Sequence, residues 1–235
     1  EVVEIGPGLG ALTSHLLERG LRVVAIEKDR RLAGALGEIF SPVNDRLTVV
    51  TGDILQTDLV GLPGLTSGVL PAVAGNLPYN ISAPVLFHLL DANHATGPWV
   101  LMFQREVARR LRARPGTKEY GALTALITPL REPAAVCDVG RGAFHPPPKV
   151  DSAVLSLNPR PTSLIGDVSW SAYRRVVRAV FGARRKTLRN ALKNGGIPDA
   201  GEVLSRAGVD PGLRGERLGV EELATIAAAL PTEST

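Results

Sequence analysis

The segment Ala74-Gly75-Asn76-Leu77-Pro78-Tyr79 brings an amide, a stiff turn and an aromatic ring together, groups suited to gripping a base by its exocyclic amine. The N6 of adenine is a poor nucleophile because its lone pair is delocalised into the ring. Attack on an activated methyl group moves that nitrogen toward tetrahedral geometry, and acceptors aimed at its two protons favour the change. The Asn76 side-chain oxygen offers one acceptor and the Leu77 carbonyl the other, with Pro78 stiffening the turn between them. Tyr79 is then placed to stack on the base, a contact that contributes on the order of 1–3 kcal/mol. Phe144, in Ala143-Phe144-His145-Pro146-Pro147-Pro148-Lys149, is the candidate for the opposite face. A base in folded RNA must leave its stack to enter such a slot. A sulfonium methyl donor is already activated, so no general base is demanded. The bland alternative is a strand-ending turn capped by asparagine.

A second set of residues suits an adenosine-containing ligand. Glu4-Ile5-Gly6-Pro7-Gly8-Leu9-Gly10 follows an apolar run and opens a helical period, so Gly6, Gly8 and Gly10 allow a sharp turn and a helix start allows close approach of a ligand. Glu27, with Lys28 beside it, ends the next apolar run, where a carboxylate reaches ribose hydroxyls. Asp53 ends the third, able to accept from an adenine amine with Ile54 bordering the ring. Glu4, Gly6, Gly8, Gly10, Glu27, Lys28, Asp53, Ile54 and Asn76 are the candidate cofactor residues. Gly6-x-Gly8-x-x-Ala11 also fits a relaxed dinucleotide fingerprint, so this loop alone leaves a nicotinamide enzyme open. His15, His88 and His94 show no pairing with Asp, Glu or Cys at metal-ligand spacing, and no metal is expected. Three prolines follow His145, which reads as part of a rigid loop. The single cysteine, Cys137, excludes a disulfide framework and reads as a small buried strand residue.

These residues need a sheet to hold them. Apolar runs at Val2–Ile5, Arg22–Ile26, Leu47–Thr51, Ala72–Ala74 and Trp99–Phe103 alternate with helical periods at Leu9–Arg19, Arg30–Phe40 and Ala83–Leu90, and with a Gly/Pro-rich loop near Gly61–Gly68. Gln104–Ala113 and Tyr120–Leu130 continue the helical pattern. The alternation predicts an α/β fold with a mostly parallel sheet covered on both faces. Ala134–Val139 and Ala153–Leu157 have only a loop between them and predict a hairpin-like pair at one edge. After Pro159, Pro161 and Gly166 the pattern becomes helical at Ser171–Val180, Arg184–Lys193, Gly201–Ala207 and Val220–Leu230. The expected domains are residues 1–160, an α/β catalytic domain, and residues 161–235, a small all-helical domain.

Of 235 residues, 44% are hydrophobic, enough to bury a real core. No apolar run approaches the roughly 20 residues needed to cross a bilayer, and no basic-then-apolar leader opens the chain. Because Glu1 comes first and Met102 is the only methionine, the sequence reads as lacking its natural start. The net charge is +4, yet eight basic residues and no acid lie between Val168 and Pro198, which leaves 19 basic against 23 acidic residues elsewhere. Charge so concentrated points to a polyanion partner.

At this point the chain resembles the ribosomal RNA adenine N6,N6-dimethyltransferases, nearly end to end. Glu4–Thr13 looks like the donor loop, Glu27 and Asp53 like the adenosine-binding acids, and Asn76-Leu77-Pro78-Tyr79-Asn80-Ile81-Ser82 like the target-adenine motif. Gln104–Leu111 and Phe144–Ala153 are similar to further family blocks. The resemblance implies a Rossmann-like S-adenosylmethionine-dependent methyltransferase sheet with a small helical C-terminal domain, and S-adenosylhomocysteine as product. It implies dimethylation of two adjacent adenosines in a hairpin near the 3′ end of small-subunit ribosomal RNA, in an immature ribosomal subunit. Catalytic roles fall to Asn76, Leu77, Pro78, Tyr79 and Phe144. RNA contacts fall to Arg105, Arg184, Arg185, Lys186 and Arg189. A cytoplasmic monomer with no membrane partner is expected. Macrolide-resistance methylases, which act on large-subunit RNA, share the catalytic motifs; Phe181–Leu192 looks like the small-subunit branch. The third reading is an assembly factor that binds the donor without catalysis.

Overall fold

The computed structural model describes residues 1–40, 45–66 and 68–231. Its sheet comprises β1 (Val2–Ile5), β2 (Val23–Glu27), β3 (Leu47–Thr51), β4 (Ala72–Asn76), β5 (Trp99–Gln104), β6 (Arg131–Val139) and β7 (Ser152–Pro159), in the order β3-β2-β1-β4-β5-β7-β6. The first five are parallel to their neighbours, and β7 returns antiparallel against β5. Every residue of β1 and β2 is buried, as continuous apolar runs in the middle of a parallel sheet require. The helices among these strands are α1 (Ala11–Glu18), α2 (Arg30–Ile39), α3 (Ser82–Asp91), α4 (Arg105–Leu111) and α5 (Ala122–Ile127). Leu17, Val23, Ala25, Leu36 and Leu47 form one part of the core, joining α1 and α2 to the sheet.

Helices α6 (Trp170–Gly182), α7 (Leu188–Asn194), α8 (Ala200–Arg206) and α9 (Val220–Ala228) complete the chain. Two compact units result: Glu1–Ala108 with Pro133–Pro159, and Arg109–Glu132 with the helices that follow Arg160. Arg109–Glu132 joins the helices because its polar ties lie there. The Tyr120 hydroxyl donates to the Leu218 carbonyl at 2.9 Å, the Tyr173 hydroxyl donates to the Ala125 carbonyl at 2.8 Å, and Tyr120 packs edge-on against Phe181.

Two expectations are corrected. Cys137 is exposed, because β6 is the outermost strand and residues 134–138 are all exposed. The helix expected over Arg184–Lys193 starts only at Leu188, after a turn through Ala183–Lys186. The Leu188 and Arg189 amides donate to the carbonyls of Leu213 and Pro211, so a tertiary contact satisfies the first orphan N–H groups of α7. Among the described residues, no helix is long and apolar enough to cross a membrane.

Candidate active site

Strand register assembles the site. Ile5 of β1 lies opposite Ile26 of β2 and Gly75 of β4, while Glu27 lies opposite Thr51 of β3. The glycine loop, Glu27, Asp53 and Asn76 therefore all leave the sheet at the carboxyl ends of four adjacent strands, where open α/β folds bind ligands. At about 4.8 Å per strand, the row from β3 to β4 spans roughly 14 Å. Gly75 makes this closeness possible: a Cβ there would sit 2.8 Å from the Ile5 carbonyl oxygen.

The loop before α1 is held from both sides. Gly6, Gly8 and Gly10 all have positive φ, and a Cβ on Gly10 would strike the Phe40 ring and come within 2.7 Å of Leu36. Glu27, 7% exposed, accepts from the Gly8 amide at 3.1 Å through one oxygen and from the Asp29 amide at 2.9 Å through the other. Each oxygen keeps a further lone pair, so the carboxylate can still take two hydroxyls. Asp29 in turn caps α2 by accepting from the Arg31 amide. Glu4 is 2% exposed and accepts from the Thr13 hydroxyl at 2.6 Å. Burial raises its carboxyl pKa, and the Thr13 hydrogen bond partly offsets that rise. Thr13 closes the stretch that resembles the donor loop, but its sequence pattern assigned it no role of its own.

At the other acid, the Lys28 ammonium donates to Asp53 at 2.8 Å and, with the Leu55 amide at 3.0 Å, holds the carboxyl below its ordinary value. Lys28 is thus tied to the candidate adenine-binding acid, and its side chain is otherwise largely exposed. Ile54 is 5% exposed, so most of its side chain packs into the core. The donors and acceptors along β3, β2 and β1 fit a nucleoside: a solvent-facing acid for an amine, a buried acid for hydroxyls, and a glycine loop beyond.

Asn76, Leu77, Pro78, Tyr79, Phe144, Pro146 and Pro148 line a cleft of about 270 Å³. It brings together residues almost seventy positions apart. Leu77 lines this cleft yet is 1% exposed, its side chain packed into the core. The Tyr79 hydroxyl lies 2.5 Å from the Ser152 hydroxyl; Ser152 falls in the family-like block Phe144–Ala153, but its sequence pattern assigned it no role. His88 is engaged with the Thr57 carbonyl at 2.9 Å. Among the described residues, no group of three His, Cys, Asp or Glu side chains is arranged to hold a metal.

The candidate RNA residues divide. In the sheet unit, Arg105 pairs with Asp151 at 2.9 Å. In the helical unit, Arg184 donates to the carbonyls of Lys118 and Tyr120 at 3.1 and 3.0 Å, so its guanidinium braces the 118–120 loop. Arg185 and Lys186 are exposed in the turn before α7. Arg189 lines a cleft of about 840 Å³ together with Arg175 and Lys193.

The family model for ribosomal RNA adenine dimethylase matches residues 1–231. A protein of Geobacter metallireducens named ribosomal RNA small subunit methyltransferase A is 46% identical over 97% of this chain and 84% of its own length. One of the same name from Moorella thermoacetica is 46% identical over 97% and 82%. A dimethyladenosine transferase from Plasmodium falciparum superposes with a TM-score of 0.78 at 26% identity, covering 96% of this chain and 87% of that one. The 23S rRNA methyltransferase ErmE does so with 0.66 at 29% identity, covering 97% and 90%.

Proposed function

The chain belongs to the ribosomal RNA adenine dimethylase family, and on that premise we propose that it transfers methyl groups from S-adenosylmethionine to N6 of two adjacent adenosines in a hairpin near the 3′ end of small-subunit ribosomal RNA. Its substrate is an immature subunit in the cytoplasm, which it meets as a monomer. The relatives of 46% identity carry the small-subunit name. The observation that supports catalysis over mere binding is the register that sets Ile5 opposite Gly75: it makes the donor loop and the Asn76 turn direct neighbours, as transfer of a single carbon demands.

When bound, S-adenosylmethionine supplies a methyl group on a sulfonium, an already activated leaving group. The chain's own residues do the rest by positioning. Glu27 takes the ribose hydroxyls and Asp53 the adenine amine of the donor, with Ile54 at its edge. Lys28 holds Asp53 ionised and in place, while Glu4 and the glycines Gly6, Gly8 and Gly10 shape the loop. In the neighbouring cleft, Tyr79 and Phe144 stack on the flipped target base. The Asn76 Oδ1 and the Leu77 carbonyl accept from its two N6 protons, and Pro78 keeps those acceptors convergent. As the nitrogen becomes tetrahedral its lone pair is freed, and the product loses its extra proton to water. Arg105, Arg185, Lys186 and Arg189 meet RNA phosphates. Arg184 serves the same surface indirectly, by bracing its loop.

Mass spectrometry of small- and large-subunit RNA, after immature subunits of both kinds are incubated with the protein and isotope-labelled donor, tests this reading. The expected result is dimethylation at two neighbouring adenosines near the 3′ end. Asn76→Ala lowers kcat by about 100- to 1,000-fold, the loss seen when an oriented polar group is removed from a transition state. Label confined to large-subunit RNA would assign the protein to the macrolide-resistance type. Donor binding without any transfer would make it an assembly factor.

A further inference from the structure

Ser152 and Asp151 are consecutive, and each ties down one wall of the cleft that takes the target base. Ser152 opens β7 opposite Gln104, the last residue of β5. Because β7 runs antiparallel, its first residue lies at the sheet edge where β4 and β5 end. Ser152 is fully buried, at 0% exposure, and its hydroxyl is 2.5 Å from that of Tyr79. A ring reaching out from a turn is thus anchored to a strand that cannot move independently of the sheet.

Asp151 does the corresponding work on the other wall. One carboxylate oxygen takes the Arg105 guanidinium at 2.9 Å, and the other accepts from the Arg141 amide at 3.2 Å. Its backbone carbonyl also accepts from the Arg105 amide at 3.0 Å. Arg141 begins the segment that carries Phe144, so Asp151 clasps the root of that loop to the start of α4.

We propose that Asp151 and Ser152 are positioning residues that set the separation and parallelism of the Tyr79 and Phe144 rings, Ser152 through the Tyr79 hydroxyl and Asp151 through Arg105 and the Arg141 amide. The proposal rests on the reading of this cleft as the adenine slot. It gives the tyrosine hydroxyl a purpose that stacking alone does not require. Because affinity for RNA comes mainly from phosphate contacts, a loosened slot costs kcat more than KM.

The test is a double-mutant cycle on the full chain with immature subunits as substrate. Tyr79→Phe breaks the hydroxyl contact without disturbing the buried site, and Ser152→Ala breaks it from the other side. Each is expected to lower kcat by about three- to tenfold, the effect of one net hydrogen bond, with no further loss in the double variant. Binding of S-adenosylhomocysteine, read by calorimetry, stays within about twofold. Asp151→Asn and Phe144→Ala form the second cycle, with the same non-additivity expected. Losses that multiply, or a silent Tyr79→Phe, overturn the proposal. Tyr79→Ala and Phe144→Ala separate the two levels: if they lower kcat well beyond tenfold while Tyr79→Phe is silent, only the positioning role fails. If they leave transfer intact, the adenine slot itself fails and this proposal with it.

Discussion

Glu4 shows how a single residue carries a conflict between stability and function. It is buried beside the glycine loop with one hydroxyl partner, Thr13, and burial raises its pKa above the ordinary 4.5. A raised carboxyl contributes stability that is full below about 4.5 and is lost as pH rises through the folded-state value. Glu4→Gln keeps an acceptor for Thr13 and removes the charge. Its melting temperature is therefore expected to match the parent near pH 4, to exceed it as pH rises through the folded-state value and to hold that gain above it, with donor binding weakened. Thermal scans across that range check the sign; a difference that shrinks with rising pH contradicts it. Asp53 runs the other way. Its lowered pKa, due first to Lys28, contributes above the ordinary aspartate value and is lost as pH falls through the folded one.

At the scale of elements, the site depends on how closely β4 approaches β1. Gly75 stands where a Cβ would lie 2.8 Å from the Ile5 carbonyl oxygen and 3.3 Å from both the Ile5 Cβ and the Leu77 side chain. Backbone in the middle of a sheet gives way reluctantly. Gly75→Ala is expected to cost about 1–3 kcal/mol, as overpacking does, and to displace Asn76 from its neighbours. Melting temperature and kcat should both fall; an unchanged kcat would mean that strand spacing does not govern the slot. Element identity was largely legible beforehand, since the buried parallel strands read as continuous apolar runs. The start of α7 was not, because it is decided by the carbonyls of Pro211 and Leu213, which no local pattern reveals.

At the scale of the whole molecule, the basic residues of the helical unit are the proposed contact to RNA phosphates. Arg185, Lys186 and Arg189 replaced together by alanine should weaken RNA binding and flatten the salt dependence by about 0.7 to 0.9 in log–log slope for each phosphate no longer neutralised. Filter binding at several salt concentrations reads both. S-adenosylhomocysteine affinity should hold, because these residues belong to a different compact unit from the glycine loop. Unchanged affinity and slope would remove the helical unit from RNA recognition. Arg184 is expected to behave differently: bonded to two carbonyls, its replacement should appear in melting temperature first.

The chemistry was readable along the chain because its units are local: a glycine loop after a strand, acids at the ends of the next two, and Asn76-Leu77-Pro78-Tyr79 after a fourth. A strand's period and its terminal residue suffice to place each of these at a sheet edge. Only the tertiary structure decided that β4 lies beside β1, that Phe144 and Tyr79 line one cleft, that Ser152 holds the Tyr79 hydroxyl, and that Arg109–Glu132 joins the helices. Those contacts join residues far apart in the chain. They are settled by register and packing, which depend on every neighbour at once and leave no periodic trace in any one segment.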